Sequence, residues 1–327
     1  MQKFKFDDPS IRYTGRFGKT GTWSAEFMAA TACGATIEIA FTGRDCVLLF
    51  NTEHSSEPFG HIYLSVDGGA RVESAISPFV RVSAPDDGTH IVTCIYKSGV
   101  EQQHRWHQPL VGKIAFEGYE AEGSASLPAD NRRTIEFVGD SITEGVLIDS
   151  FRRVSLNDQH NRPWQDDVTA TYGWLTAEAL GLRPYMMGYG AVGNTHGGCG
   201  GVPKTADAYP YNFENSPVTY PSCDFILINH GANDRGSRDS YLPEYKELLG
   251  LIRSRNPKSV LIVLSPFCGA FDDILPGFVE SFNRETGDSV CYISSEGWVP
   301  AEPLHPLRDG HRIISEHLIK ALKPIIG

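Results

Sequence analysis

Ser141, Asn233 and His305 are the side chains of this sequence whose types and surroundings suit acyl transfer. Ser141 stands in Gly139-Asp140-Ser141-Ile142-Thr143-Glu144-Gly145, directly after the apolar run TIEFV. A serine just past a strand end and opening a helix is placed for nucleophilic attack, with its own N–H at the positive end of that helix. The same position equally suits a serine that only caps the helix. Thr143 stands where the hydrolase elbow G-x-S-x-G requires glycine, which argues against the α/β-hydrolase fold proper. Asn233 lies in His230-Gly231-Ala232-Asn233-Asp234, after a second apolar run. Its amide could donate a hydrogen bond to a developing oxyanion, or the pair Asn233-Asp234 could simply form a turn.

His305 follows in Glu302-Pro303-Leu304-His305-Pro306. A base beside a serine needs a pKa near neutrality, which favours histidine. Glu302, three residues earlier, could reach the other ring nitrogen and orient the imidazole. His311, in Asp309-Gly310-His311 ahead of the last helix, competes with His305 and is read as structural. Asp140 is read as a brace for the turn. The glycine-rich stretch Gly188-Tyr189-Gly190-Ala191-Val192-Gly193-Asn194-Thr195 allows a backbone N–H to approach a substrate oxygen closely.

These residues must be held by a domain, and the texture of the sequence shows which. From about Arg132, apolar runs (134–138, 184–187, 225–229, 260–264 and 290–293) alternate with helical stretches at 169–180, 241–255 and 312–322. Such alternation implies a parallel sheet with helices on both faces, and its ligands bind beyond the carboxyl ends of the strands. The first part of the chain reads differently. Runs such as TIEIAF (36–41), CVLLF (46–50), HIYLSV (61–66) and HIVTCIY (90–96) recur at short intervals between turn residues. That is the pattern of an antiparallel sandwich or jelly roll. Residues 1–125 are thus expected to form a sandwich, 126–131 a linker and 132–327 an α/β domain.

The chain has 327 residues, enough for two cores, with 41% hydrophobic and 21% charged residues. Its net charge of −11 disfavours nucleic acid and anionic membranes as partners. No stretch reaches the ~20 apolar residues of a membrane span, and the N-terminus carries no leader-like apolar run, so a cytoplasmic location is expected. The seven cysteines are scattered and odd in number, which suits free thiols. His196 and Cys199 supply only two ligands of the kind a metal needs, so no metal site is expected. Among the tryptophans, Trp174 reads as core, Trp164 closes a polar rim-like segment (157–164), and Trp298 is the pocket candidate because it lies close to Glu302 and His305 in sequence.

Four motifs, GDSIT at 139–143, the glycine block at 188–195, GAND at 231–234 and HP with a trailing GH at 305–311, occur in that order across one domain. Here the chain resembles the SGNH (GDSL-type) hydrolase family over most of residues 132–327. The runs IRYTGRF, IAFTGRDCVLLF, YLSVDGG and DDGTHIVTCIYKSG resemble the N-terminal β-domain of carbohydrate esterase family 2. The resemblance implies an all-β jelly roll followed by a three-layer SGNH domain with a parallel central sheet. It implies a serine esterase, with Ser141 as nucleophile, His305 as base and the N–H of Ser141, the N–H of Gly193 and the side chain of Asn233 as oxyanion donors. It implies removal of acetyl groups from carbohydrates, without metal or organic cofactor, so that the partner is a small-molecule or oligosaccharide ester. Glu302 stands where the family commonly has Asp, leaving a triad and a Ser–His dyad both open. An esterase or thioesterase on other acyl groups, and a carbohydrate-binding protein with a vestigial site, are the competing readings.

Overall fold

The computed structural model describes residues 1–149 and 162–327. Residues 157–161 of the expected rim segment lie outside them.

The N-terminal half forms two six-stranded antiparallel sheets packed face to face. One runs in the order Gly18–Gly21, Glu26–Ala30, Ile114–Ala121, Asp45–Phe50 and Phe79–Ser83, with Gln2–Lys5 also paired to Ile114–Ala121. The other runs Gly123–Ser124, Thr36–Thr42, Thr89–Ser98, His61–Val66 and Val72–Ala75, with Ile11–Thr14 paired to Thr36–Thr42. Alternation explains why these segments are strands. In Thr36–Thr42, Ile37, Ile39 and Phe41 point into the sandwich, where they meet Cys46, Leu48, Val92 and Cys94. Asp67-Gly68 turns the chain between two strands, with both residues at positive φ (51° and 71°).

The second half is a parallel sheet of five strands: β1 (Thr134–Gly139), β2 (Arg183–Gly188), β3 (Phe225–Asn229), β4 (Val260–Leu264) and β5 (Cys291–Ile293). Their spatial order is 2-1-3-4-5. The helices are α1 (Ser141–Glu144), α2 (Arg162–Gln165), α3 (Tyr172–Ala179), α4 (Thr205–Ala208), α5 (Arg238–Arg255), α6 (Leu275–Thr286) and α7 (Arg308–Ile326). The strands are mostly apolar because both faces are covered. Ile135, Phe137, Leu227, Ile262 and Leu264 share a core with Tyr172, Trp174, Ala177 of α3 and Ile314, Leu318, Leu322 of α7. Val138, Ile226, Ile228, Leu261 and Val263 face α5 and α6. Trp174 is core, as its helical setting implies.

The strand order decides where chemistry can happen. The chain leaves β1 for the edge strand β2, then crosses back to β3 on the other side of β1. The connections on either side of β1 therefore diverge, opening a crevice beyond the carboxyl ends of β1 and β3. Ser141 follows β1 and Asn233 follows β3.

The sandwich is docked on the α/β domain by buried polar contacts. Arg16 donates to Oε1 of Glu136 on β1 at 2.9 Å and to the carbonyls of Tyr209 and Tyr211 at 2.9 Å each. The hydroxyls of Tyr209 and Tyr220 complete the shell of Glu136 at 2.8 and 2.6 Å. A buried carboxylate with three such partners is held in place rather than merely tolerated.

Candidate active site

Two elements bring the nucleophile and its base together. Backbone geometry fixes Ser141: Asp140 accepts from the N–H of Ile142 at 2.9 Å and so caps α1, while Gly145 ends it in the left-handed region at φ 87°. His305 arrives on the loop between β5 and α7. Its Nε2 lies 2.8 Å from Oγ of Ser141. The imidazole is partly buried, and burial lowers its pKa below the ordinary histidine value. It is therefore neutral near pH 7, as a proton acceptor must be.

His311 does different work. Its Nδ1 accepts the N–H of Tyr172 at 3.1 Å, at the start of α3, and its ring stacks on that tyrosine. Burial pushes its pKa down to about 3, so it is a neutral structural residue. Asp140 braces the turn, as its place in the sequence implies. Burial, with Asp234 nearby, raises its carboxyl to about 7. That reduces the negative charge beside the serine.

The expected oxyanion donors do not all stand ready. α1 has a single turn, so the N–H of Ser141 acts as a local donor and not through a helix dipole. The Nδ2 of Asn233 donates to the carbonyl of Val192 at 3.0 Å and faces Oδ2 of Asp140 at 3.4 Å. The second contact is at the limit of a hydrogen bond, so that proton is the one an oxyanion could draw. The N–H of Gly193 is a correction. It donates to the carbonyl of His196 at 3.0 Å, which closes the glycine loop on itself and leaves that donor occupied.

Glu302 is a second correction. It is exposed and makes no hydrogen bond among the described residues. Three residues of spacing put it on the same loop, but the loop carries its side chain to solvent. Trp298 is a third. Its ring stacks on His317 of α7, centroid to centroid 5.3 Å at 15°, and packs against the core. Trp164 instead is 60% exposed, with its edge against His61. His196 is turned to the carbonyls of Gly197 and Asn233, and the thiol of Cys199 accepts from Gln102.

Sequence reasoning missed the contribution of the sandwich. Its loop 99–113 enters the α/β domain beside the nucleophile. Arg105 pairs with Glu144, the last residue of α1, and its N–H donates to the carbonyl of Gly200 at 2.9 Å. Glu101 lies 3.0 Å from Arg162 of α2, which also pairs with Asp166 at 3.3 Å. Asp166 in turn accepts the N–H of Leu147 just beyond α1, at 2.6 Å. Glu101, Arg105, Glu144, Arg162 and Asp166 are all buried. Burial of so many charges in one place was not legible, because loop charges ordinarily face solvent.

No protein-family model and no curated protein sequence matches the chain. Solved structures do match in fold, along nearly the whole length. A family two carbohydrate esterase from Cellvibrio japonicus superposes with a TM-score of 0.78 at 20% identity, covering 99% of this chain and 98% of its own. An acetyl xylan esterase from the rumen bacterium Butyrivibrio proteoclasticus gives 0.77 at 17% identity, covering 100% of each. A family two carbohydrate esterase from Clostridium thermocellum, in complex with cellohexaose, gives 0.74 at 21% identity, covering 97% of this chain and 99% of its own. The chain thus has the two-domain fold of family 2 carbohydrate esterases, a jelly roll followed by an SGNH-type α/β domain.

Proposed function

We propose that this protein is a serine ester hydrolase that removes O-acetyl groups from carbohydrates through an acyl-enzyme on Ser141. The observation that carries the reading is the 2.8 Å contact between Oγ of Ser141 and Nε2 of His305 at the switch point of the sheet. Neighbours of the same fold that are described as carbohydrate and acetyl xylan esterases support the substrate class.

The steps follow from the geometry. His305 takes the proton of Ser141 as Oγ attacks the ester carbonyl. Negative charge develops on the carbonyl oxygen, where the N–H of Ser141 and the amide of Asn233 can donate to it. His305 then returns the proton to the departing sugar hydroxyl. Water enters, gives its proton to His305 and attacks the acyl-enzyme, releasing acetate and restoring Ser141. With Glu302 in solvent, the site works as a Ser–His pair. The free cysteines support a reducing compartment, the cytoplasm, and with it short acetylated sugars rather than whole polymer as substrates.

The test compares acetate release from acetylated xylooligosaccharides with hydrolysis of p-nitrophenyl octanoate and an acyl thioester. Preference for the acetylated sugar supports the reading. Turnover of the long-chain ester or thioester, with the sugar untouched, would overturn the substrate assignment.

A further inference from the structure

The face of the sandwich turned towards α3 is polar, although sheet faces covered by another layer are ordinarily apolar. Ile37 and Ile39 point into the sandwich core, so Thr36 and Glu38 point outward along Thr36–Thr42. Strand register carries Glu38 into a row across four strands: Arg12 pairs with Glu38, Glu38 with Thr93, and Thr93 with Ser65. In the next row Thr14 pairs with Thr36.

This polar surface does not close against its neighbour. Glu38, Thr93, Ser65, Thr14 and Thr36 line a cavity of 270 Å³ between the two domains. From the α/β domain, Trp174 and Glu178 of α3 line it, with Leu182, Arg183 and Pro184. Arg71, close to the Asp67-Gly68 turn, lines it too and reaches from the sandwich to Glu178. Thr14 is 4% exposed, and its Oγ1 has no hydrogen-bond partner among the described residues. Each charged residue lining the cavity is already in an ion pair: Arg71 with Glu178, Arg183 with Glu38 at 2.9 Å, and Arg132 with Asp130 at 2.6 Å.

We propose that this cavity is a second ligand site, which takes one neutral pyranose ring and is separate from the catalytic crevice. The ion pairing disfavours a charged ligand, because no counter-charge among the lining residues is free. It leaves carboxylate lone pairs and guanidinium N–H groups for hydroxyls to engage. The hydroxyls of Thr14, Thr93 and Ser65 add to these, while Ile95, Trp174, Leu182 and Pro184 supply apolar surface. A pyranose matches both, with hydroxyls at its rim and C–H groups on its faces. The volume suits one ring and not a chain, since small-molecule sites begin at about 300 Å³. Position separates the cavity from Ser141. Arg183 opens β2 and pairs with Thr134 at the start of β1, whereas Ser141 lies just past the end of that six-residue strand. At ~3.3 Å per residue the two sites are roughly 20 Å apart.

The test is a titration of the full chain, isotope-labelled, with D-xylose and D-glucose, read from amide chemical shifts by NMR. The amides of Thr14, Ser65, Thr93 and Arg183 should shift saturably. Thr14→Val keeps the shape of the side chain and removes only the unpartnered hydroxyl. It should fold with an unchanged or higher melting midpoint and bind D-xylose roughly fivefold more weakly, the worth of one hydrogen bond. Thr93→Leu, which fills the cavity, should abolish the shifts. D-glucuronate and inorganic phosphate should leave these amides where they are. The proposal falls if neither sugar moves them, if the amides that move lie only at 139–145 and 188–195 around the nucleophile, if only the charged probes bind, or if Thr14→Val binds D-xylose as tightly as wild type. Should Thr93→Leu not fold, Thr14→Val decides. The titration involves no ester, so it stands apart from the hydrolase reading.

Discussion

Replacing Arg105 with methionine tests whether the sandwich holds the nucleophile turn. Arg105 is 0% exposed and Glu144 4%, and the two face each other across the domain boundary. Methionine preserves most of the apolar stem but leaves Glu144 as a buried charge whose remaining hydrogen-bond partner among the described residues is the thiol of Cys33 at 3.7 Å. Removing one member of a buried pair typically costs about 3–5 kcal/mol, because the other charge is stranded. Replacing both members by neutral groups is far milder, so Arg105→Met with Glu144→Gln should regain most of the loss. The pair Lys246–Glu285, about half exposed on each side, is the internal control. Lys246→Met should cost less than about 1 kcal/mol. The assay is urea unfolding followed by tryptophan fluorescence, with initial rates on p-nitrophenyl acetate measured in parallel. Glu144 is three residues from Ser141, and misplacing a reacting group by about 1 Å can cost 10²-fold, so the single variant should lose rate as well as stability. The reasoning fails if Arg105→Met unfolds like Lys246→Met, or if the double variant is no more stable than the single.

Other outcomes follow from the same site. Asn233→Ala removes the one side-chain oxyanion donor and should lower kcat by about 10²–10³ with little change in unfolding midpoint, measured by steady-state kinetics and thermal melting. Glu302→Gln should leave kcat/KM within about twofold, since the carboxylate lies in solvent; a loss comparable to that of Asn233→Ala would return Glu302 to the mechanism. The rate requires neutral His305, and burial holds its pKa below the ordinary value. The acid limb of kcat/KM should therefore lie below pH 6.5, the unperturbed value, in a pH–rate profile. His311 is neutral in the fold and its pKa is pushed down to about 3, whereas the unfolded chain takes up that proton near 6.5. Its contribution to stability is present above that value and is lost as pH falls towards 3, so the gap in unfolding free energy between wild type and His311→Gln should narrow on acidification.

The sequence revealed local patterns and missed cooperation between distant ones. Sandwich strands such as 36–42 were legible because alternation survives wherever one face is buried. The strands of the parallel sheet were legible as apolar runs, since both faces are covered. Helix α6 was not among the helical stretches singled out, although Leu275, Phe278, Val279 and Phe282 recur at helical spacing. Ser141 and His305 could be singled out because their neighbours make recognisable strand-end motifs. Gly193 could not be judged from sequence, because its N–H is satisfied by a carbonyl three residues on, a feature of loop closure. Glu101, Arg105 and Arg162 carry no pattern at all. A lone charge in a loop reads as a surface residue until the docked domain buries it.

The most direct test of the central claim is to mix the protein with p-nitrophenyl acetate, quench with acid and map the peptides by mass spectrometry, for wild type and Ser141→Ala together. The account predicts one acetyl group on the peptide that carries Ser141 in wild type, an initial burst of p-nitrophenol, and neither label nor rate in the variant. Full hydrolysis by Ser141→Ala, or an acetyl group found only at other residues, would contradict it.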